Sequence, residues 1–118
     1  MSDTTQWRSF MDTAQALRRQ ALRSGDQGYG AVVVKDGEIV GWGPSRVVVN
    51  RDPTAHAEME AIRDAAKRLG IQDLSGCVLV STSRSCPMCE MASYWARVDE
   101  LVHGQRLESA GPPAFQRC

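Results

Sequence analysis

The sequence has no surplus of charge of either sign, since 14 Lys and Arg are matched by 14 Asp and Glu. The basic footprint on which non-specific nucleic-acid binding relies is therefore missing, which favours a small, uncharged or weakly charged partner. No apolar run approaches the roughly 20 residues needed to cross a bilayer. Asp3, Gln6 and Arg8 stand where a signal peptide requires an apolar core. These absences predict a cytoplasmic protein without a membrane partner. Proline is sparse, with 5 residues against 10 glycines, and 42% hydrophobic and 24% charged residues exclude collagen-like, low-complexity and disordered chains. A length of 118 residues predicts one domain over 1–118 and no second core. Four cysteines could form two disulfides, but a reducing compartment and the tight pair Cys86 and Cys89 favour a metal site.

Trp7, Phe10, Met11, Ala14, Leu17 and Ala21 recur every three or four residues and predict an amphipathic helix ended by Ser24-Gly25. Gly30–Lys35 is short and β-branched, and Asp36-Gly37 offers a type I′ turn into Glu38–Trp42, so a β-hairpin is expected. Gly43–Asn50 reads as a loop ahead of the Asp52-Pro53 helix start. Ala55, Met59, Ile62, Ala66 and Leu69 define the expected buried stripe of a second helix, with Gly70 as its stop. A strand over Cys77–Thr82 follows, then a helix from Pro87 to about Arg97 with Met88, Met91 and Trp95 inward, and a strand over Glu100–His103. Two late β-α-β passages call for parallel strands with right-handed crossovers. The expected fold is α/β, a three-layer α/β/α sandwich around a mixed four- to five-stranded sheet. Residues 107–118, with Gly111-Pro112-Pro113, carry no periodic pattern and read as a short tail.

His56-Ala57-Glu58 opens one expected helix and Cys86-Pro87-Met88-Cys89 opens the next. One imidazole and two thiolates form the soft three-ligand set that zinc uses when its fourth position is kept for water. The partial positive charge of a helix start is expected to favour thiolates at Cys86 and Cys89. Pro87 suits the first helical position, which makes Cys86 the cap and puts Cys89 in the first turn. Residues two apart on a helix project about 200° apart, so only one of His56 and Glu58 is expected to be a ligand. Glu58 then lies beside the buried stripe, where a carboxylate needs a partner, and is the candidate general acid and base. Taken singly, a Cys-x-x-Cys also serves redox sites and a lone His at a helix start is often a cap. Trp42 carries some functional weight. Arg18, Arg19 and Arg23 read as a solvated face, Cys77 as a buried strand residue and Cys118 as a free terminal thiol.

Asp52-Pro-Thr-Ala-His-Ala-Glu58 followed by Cys86-Pro-Met-Cys89 resembles the zinc-dependent nucleobase and nucleoside deaminases, whose fold is cytidine deaminase-like. The resemblance covers roughly residues 5–105. Gly30–Gly37, Ala61-Ile-Arg63 and Tyr94-Trp-Ala-Arg97 are similar to bacterial guanine deaminases, with tRNA adenosine deaminases and yeast-type cytosine deaminases somewhat more distant. It implies one Zn²⁺ per chain on His56, Cys86 and Cys89, with proton transfer by Glu58. Relatives usually carry Asn eleven residues before the zinc His, where its amide reads the base, and this chain has Ser45. Relatives usually have Glu-Pro before the first zinc Cys, and this chain has Arg84-Ser85, a fixed cation near the substrate mouth. Trp42, Ser45, Ala57, Arg84 and Ser85 are the expected substrate contacts.

The expected activity is hydrolytic deamination of a heterocyclic nucleobase or nucleoside, a guanine-like purine or related aminated ring, with release of ammonia. The rivals are a non-catalytic zinc-stabilised protein of the same fold and a tRNA adenosine deaminase. Intact Glu58 argues against the first, and charge neutrality against the second. A fourth strand with an unpaired edge, and Tyr94 and Trp95 at positions one face cannot bury together, predict a homodimer whose tails close the partner's pocket.

Overall fold

The structure, a computed structural model, describes residues 4–104 and 108–111. After a short 3-10 turn over Thr4–Trp7, helix α1 runs from Arg8 to Arg23 and buries Met11, Ala14, Leu17 and Ala21. The hairpin follows as β1 (Gly30–Lys35) and β2 (Glu38–Pro44). Its turn carries Asp36 at φ 52° and Gly37 at φ 78°, the left-handed pair that a type I′ turn requires. β2 is two residues longer than the sequence suggested, because Gly43 and Pro44 pair with Ala31 and Gly30. Then come α2 (Ala57–Leu69), β3 (Cys77–Ser81), α3 (Pro87–Ala96) and β4 (Glu100–His103). Gly70 caps α2 in the left-handed region at φ 69°.

A fifth strand, β5 (Glu108–Gly111), pairs antiparallel with β4. This corrects the expectation of a patternless tail for these four residues, and with it the expectation that the β4 edge is unpaired. Residues 112–118, with Cys118, lie outside the described residues. The sheet order is β2-β1-β3-β4-β5, with β3 and β4 parallel and the other neighbouring pairs antiparallel. β2 and β3 run the same way but are separated by β1.

Alternation along β1 splits the core in two. Val32 and Val34 join Trp7, Met11, Ala14 and Leu17 on the α1 face. Ala31 and Val33 join Ala57, Ala61, Ala65 and Ala96 on the face covered by α2 and α3. Three layers result, as the pattern predicted.

The stripe expected for α2 is corrected. Ala57, Glu58, Ala61 and Ala65 are buried, whereas Met59, Ile62, Ala66 and Leu69 are only half-buried. The cause is Gly41 and Gly43 on β2: a side chain at either would collide with the backbone and methyl groups of α2 at Ala57, Ala61 and Ala65. The helix therefore sits unusually close to the sheet on its smallest residues, and its larger side chains are turned to the flanks. In α3 the inward residues are Cys89, Ser93 and Ala96, while Trp95 is 69% exposed and Met88 and Met91 are half-buried. Placing the first-turn Cys89 against α2 rotates Trp95 outward.

Candidate active site

The helix starts are built as the local sequence dictates. His56 caps α2 in extended geometry at φ −62° and ψ 156°. Just before it, the Asp52 carboxylate accepts hydrogen bonds from the Thr54 amide and hydroxyl at 2.9 and 2.7 Å. Cys86 caps α3 at φ −71° and ψ 169°, with Pro87 opening the helix and Cys89 in its first turn.

The two starts bring three donors together. Cys86 Sγ and Cys89 Sγ lie 3.5 and 3.6 Å from His56 Nδ1 and 3.6 Å from each other. Bond lengths of about 2.3 Å to sulfur and about 2.0–2.1 Å to nitrogen in a tetrahedral zinc centre imply S···S near ~3.8 Å and S···N near ~3.6 Å. The triangle matches that spacing, and the three residues are positioned to bind a metal ion.

Burial pushes the Cys89 thiol well up, the charge of Glu58 and the neighbouring Cys86 push it the same way, and the Met59 amide pulls against them. At Cys89 desolvation outweighs the pull of the helix start. A buried thiol of this kind becomes an anion only beside a cation, which fits a metal at the centre of the triangle.

Glu58 sits in the first turn of α2 and is 6% exposed. Burial raises its carboxyl above the ordinary range, opposed by its own backbone amide, by His56 and by a hydrogen bond from the Ser85 side chain. Gln27, Tyr29, His56, Ala57, Glu58, Ser83, Arg84 and Cys86 line a cavity of about 360 Å³. Two corners of the metal triangle, His56 and Cys86, and the buried carboxylate thus face one pocket, with Cys89 buried behind them.

A model of the cytidine and deoxycytidylate deaminase zinc-binding region matches residues 4–105. The chain belongs to this zinc-deaminase family. Like the family, it uses zinc as its cofactor. Guanine deaminase of Bacillus subtilis is 40% identical over 108 residues, covering 91% of this chain and 69% of that protein. A tRNA-specific adenosine deaminase of Aquifex aeolicus is 38% identical over 93 residues, covering 79% of this chain and 62% of that protein. The X-ray structure of the Bacillus subtilis guanine deaminase superposes with a TM-score of 0.78 at 41% identity, over 81% of this chain and 62% of that one. The chain therefore spans about two thirds of these relatives.

Within this deaminase-family frame, the five expected substrate contacts separate. Ala57 and Arg84 line the pocket. Ser85 reaches Glu58 and lines a small adjoining cavity with Arg84. Ser45 is 2% exposed and donates its hydroxyl to Asp26 at 2.9 Å, so it is spent on the scaffold rather than lining the pocket. Trp42 lies on the outer strand of the sheet, its amide donating to Asp64 at 2.9 Å and its ring 4.7 Å below the Arg68 guanidinium, in a separate groove.

Four residues were missed by sequence reasoning, Ser83 of the pocket lining among them. Gln27 and Tyr29 form a wall of the pocket, and Asp26 holds that wall. The Asp26 carboxylate accepts from Gln27 N at 2.8 Å, Ser45 Oγ at 2.9 Å, Val48 N at 2.9 Å and Val49 N at 2.8 Å. Desolvation acts to raise it, but the bonds from Val49, Gln27, Ser45 and Val48 prevail and hold it below 3.8. A single Asp beside a Gly-rich turn carries no sequence signal of such a role.

Proposed function

We propose that the chain is a zinc-dependent hydrolytic deaminase of an aminated heterocyclic base or nucleoside, with a guanine-like purine the favoured ring. The observation that carries this reading is one pocket lined by the buried carboxylate of Glu58 and by His56 and Cys86, two corners of the triangle that Cys89 completes from behind the wall. His56, Cys86 and Cys89 hold the zinc, and Glu58 is the group that moves protons. Bound zinc supplies Lewis acidity that lowers the pKa of the attacking water. Glu58 takes the proton from that water and delivers it to the leaving amine, and the Ser85 hydroxyl orients its carboxyl between the two transfers. Ala57 and Arg84 meet the substrate. The similarity to a protein named guanine deaminase supports the purine.

Turnover is tested by ammonia release from purines, pyrimidines, pterins and triazines. Glu58→Gln is expected to keep one zinc per chain and lose activity about 10²–10⁴-fold. Retained activity removes Glu58 from the reaction, and lost zinc makes it a ligand. Relatives named as tRNA-specific adenosine deaminases support a second reading, tested by deamination of tRNA but of no monomer.

We further infer cytoplasmic residence, supported by free Cys77, Cys86 and Cys89, and assembly as a homodimer, supported by Trp95 standing 69% exposed on α3.

A further inference from the structure

Three of the pocket's residues, Gln27, Tyr29 and Ser83, also line a second cavity of about 630 Å³, whose other walls are Arg18, Leu22, Gly28 and Thr82. The two cavities adjoin across the same three side chains. Across both linings the only carboxylate is Glu58, whereas two guanidiniums, Arg84 and Arg18, stand in the walls. Neither arginine takes part in any ion pair among the described residues. The groove around Trp42 differs, because Glu60 and Asp64 there neutralise Arg46, Arg63 and Arg68.

The rim between the cavities is fixed. Arg18 Nε donates to Gly28 O at 3.2 Å, which holds its guanidinium against the wall. Gly30 N donates to Thr82 Oγ1 at 3.2 Å, and Thr82 N returns a bond to Gly30 O at 3.0 Å. Ser45 N donates to Tyr29 O at 3.1 Å. A ligand leaving the pocket over Gln27 and Tyr29 thus moves away from Glu58 across a preorganised surface with Arg84 on one side and Arg18 on the other.

We infer that the substrate carries an anionic group, a carboxylate or a phosphate, outboard of the aminated ring, and that Arg84 and Arg18 read it. Arginine is suited to the task, since its planar fork bonds both groups in two parallel contacts. This rests on the deaminase reading above and makes a free, uncharged base a poorer substrate than an acidic derivative of the same ring.

The test uses zinc-loaded Glu58→Gln protein, which binds without turnover, titrated with two matched pairs at low salt. Guanosine against guanosine 5′-monophosphate forms the phosphate arm, and pterin against pterin-6-carboxylate the carboxylate arm. In at least one arm the charged member is expected to bind about tenfold tighter, with the advantage shrinking as salt rises. Arg18→Gln should remove most of that advantage while leaving the uncharged member's affinity within about twofold, and Arg84→Gln should remove most of it as well. The kcat/KM ratio within each pair, measured on the otherwise unaltered enzyme, supplies an independent reading. Equal binding in both arms, or an advantage that survives in the double Arg18→Gln, Arg84→Gln variant, overturns the inference and leaves the deaminase reading standing. Binding of a single-stranded RNA with none to either mononucleotide also overturns it. If no ring binds at all, charged or uncharged, both readings fall together.

Discussion

Asp26 is where one side chain controls most of the pocket wall. Its four hydrogen bonds tie Gln27 to the loop that leads from Ser45 toward His56. Asp26→Asn removes the charge from these bonds and leaves donors poorly matched, at a cost on the order of 2 kcal/mol, read as a lower urea midpoint. Because its folded pKa lies below the ordinary 3.8, the stability that Asp26 contributes is fully present above that value and is lost as the pH falls through the folded value. The acid unfolding limb of the unsubstituted protein is therefore expected to flatten in Asp26→Asn, with little change at neutral pH in the shape of the profile. The metal triangle was readable in the sequence because His-x-Glu and Cys-x-x-Cys carry their chemistry in residue type and spacing. Asp26 was not, since its partners lie 19, 22 and 23 residues away and only folding brings them near. Ser45 and Trp42 failed for the opposite reason. Each sat at a suggestive position, but hydrogen bonds to Asp26 and Asp64 had claimed Ser45's side chain and Trp42's backbone.

At the scale of elements, caps and turns were legible. Gly70, the Asp36-Gly37 turn and Pro87 each mark a boundary the structure keeps. The buried face of α2 was harder, because the rule that large apolar residues face inward fails where a sheet offers glycine. Gly41 and Gly43 set the depth of the helix, and Ala57, Ala61 and Ala65 follow from that. Gly43→Ala is expected to force α2 away from β2 and to cost about 1–3 kcal/mol, seen as a lower thermal midpoint. Since α2 starts at the metal triangle, zinc affinity should fall with it. A variant with unchanged midpoint and zinc content would show that the helix can shift freely.

For the whole molecule, layering and the mixed character of the sheet followed from alternation and short connections, whereas β5 escaped notice because four residues, Glu108–Gly111, are too few to show a period. With β4 covered, the case for a dimer rests on α3. Light-scattering mass at micromolar concentration is expected to give twice the chain mass, and Trp95→Lys to return it to one. A monomer before substitution would refute the assembly.

β2 ends the sheet on one side, and such a border is a template on which a foreign strand can grow. The carboxylate of Asp64 occupies the outward amide of Trp42, and Arg68 spreads over the ring beside it. Together they act as a guard against self-templating. Asp64→Ala is expected to leave the specific activity of freshly purified protein near normal while turbidity rises on storage. The fault would be one of shelf life: a protein that works until its neighbours find its open seam.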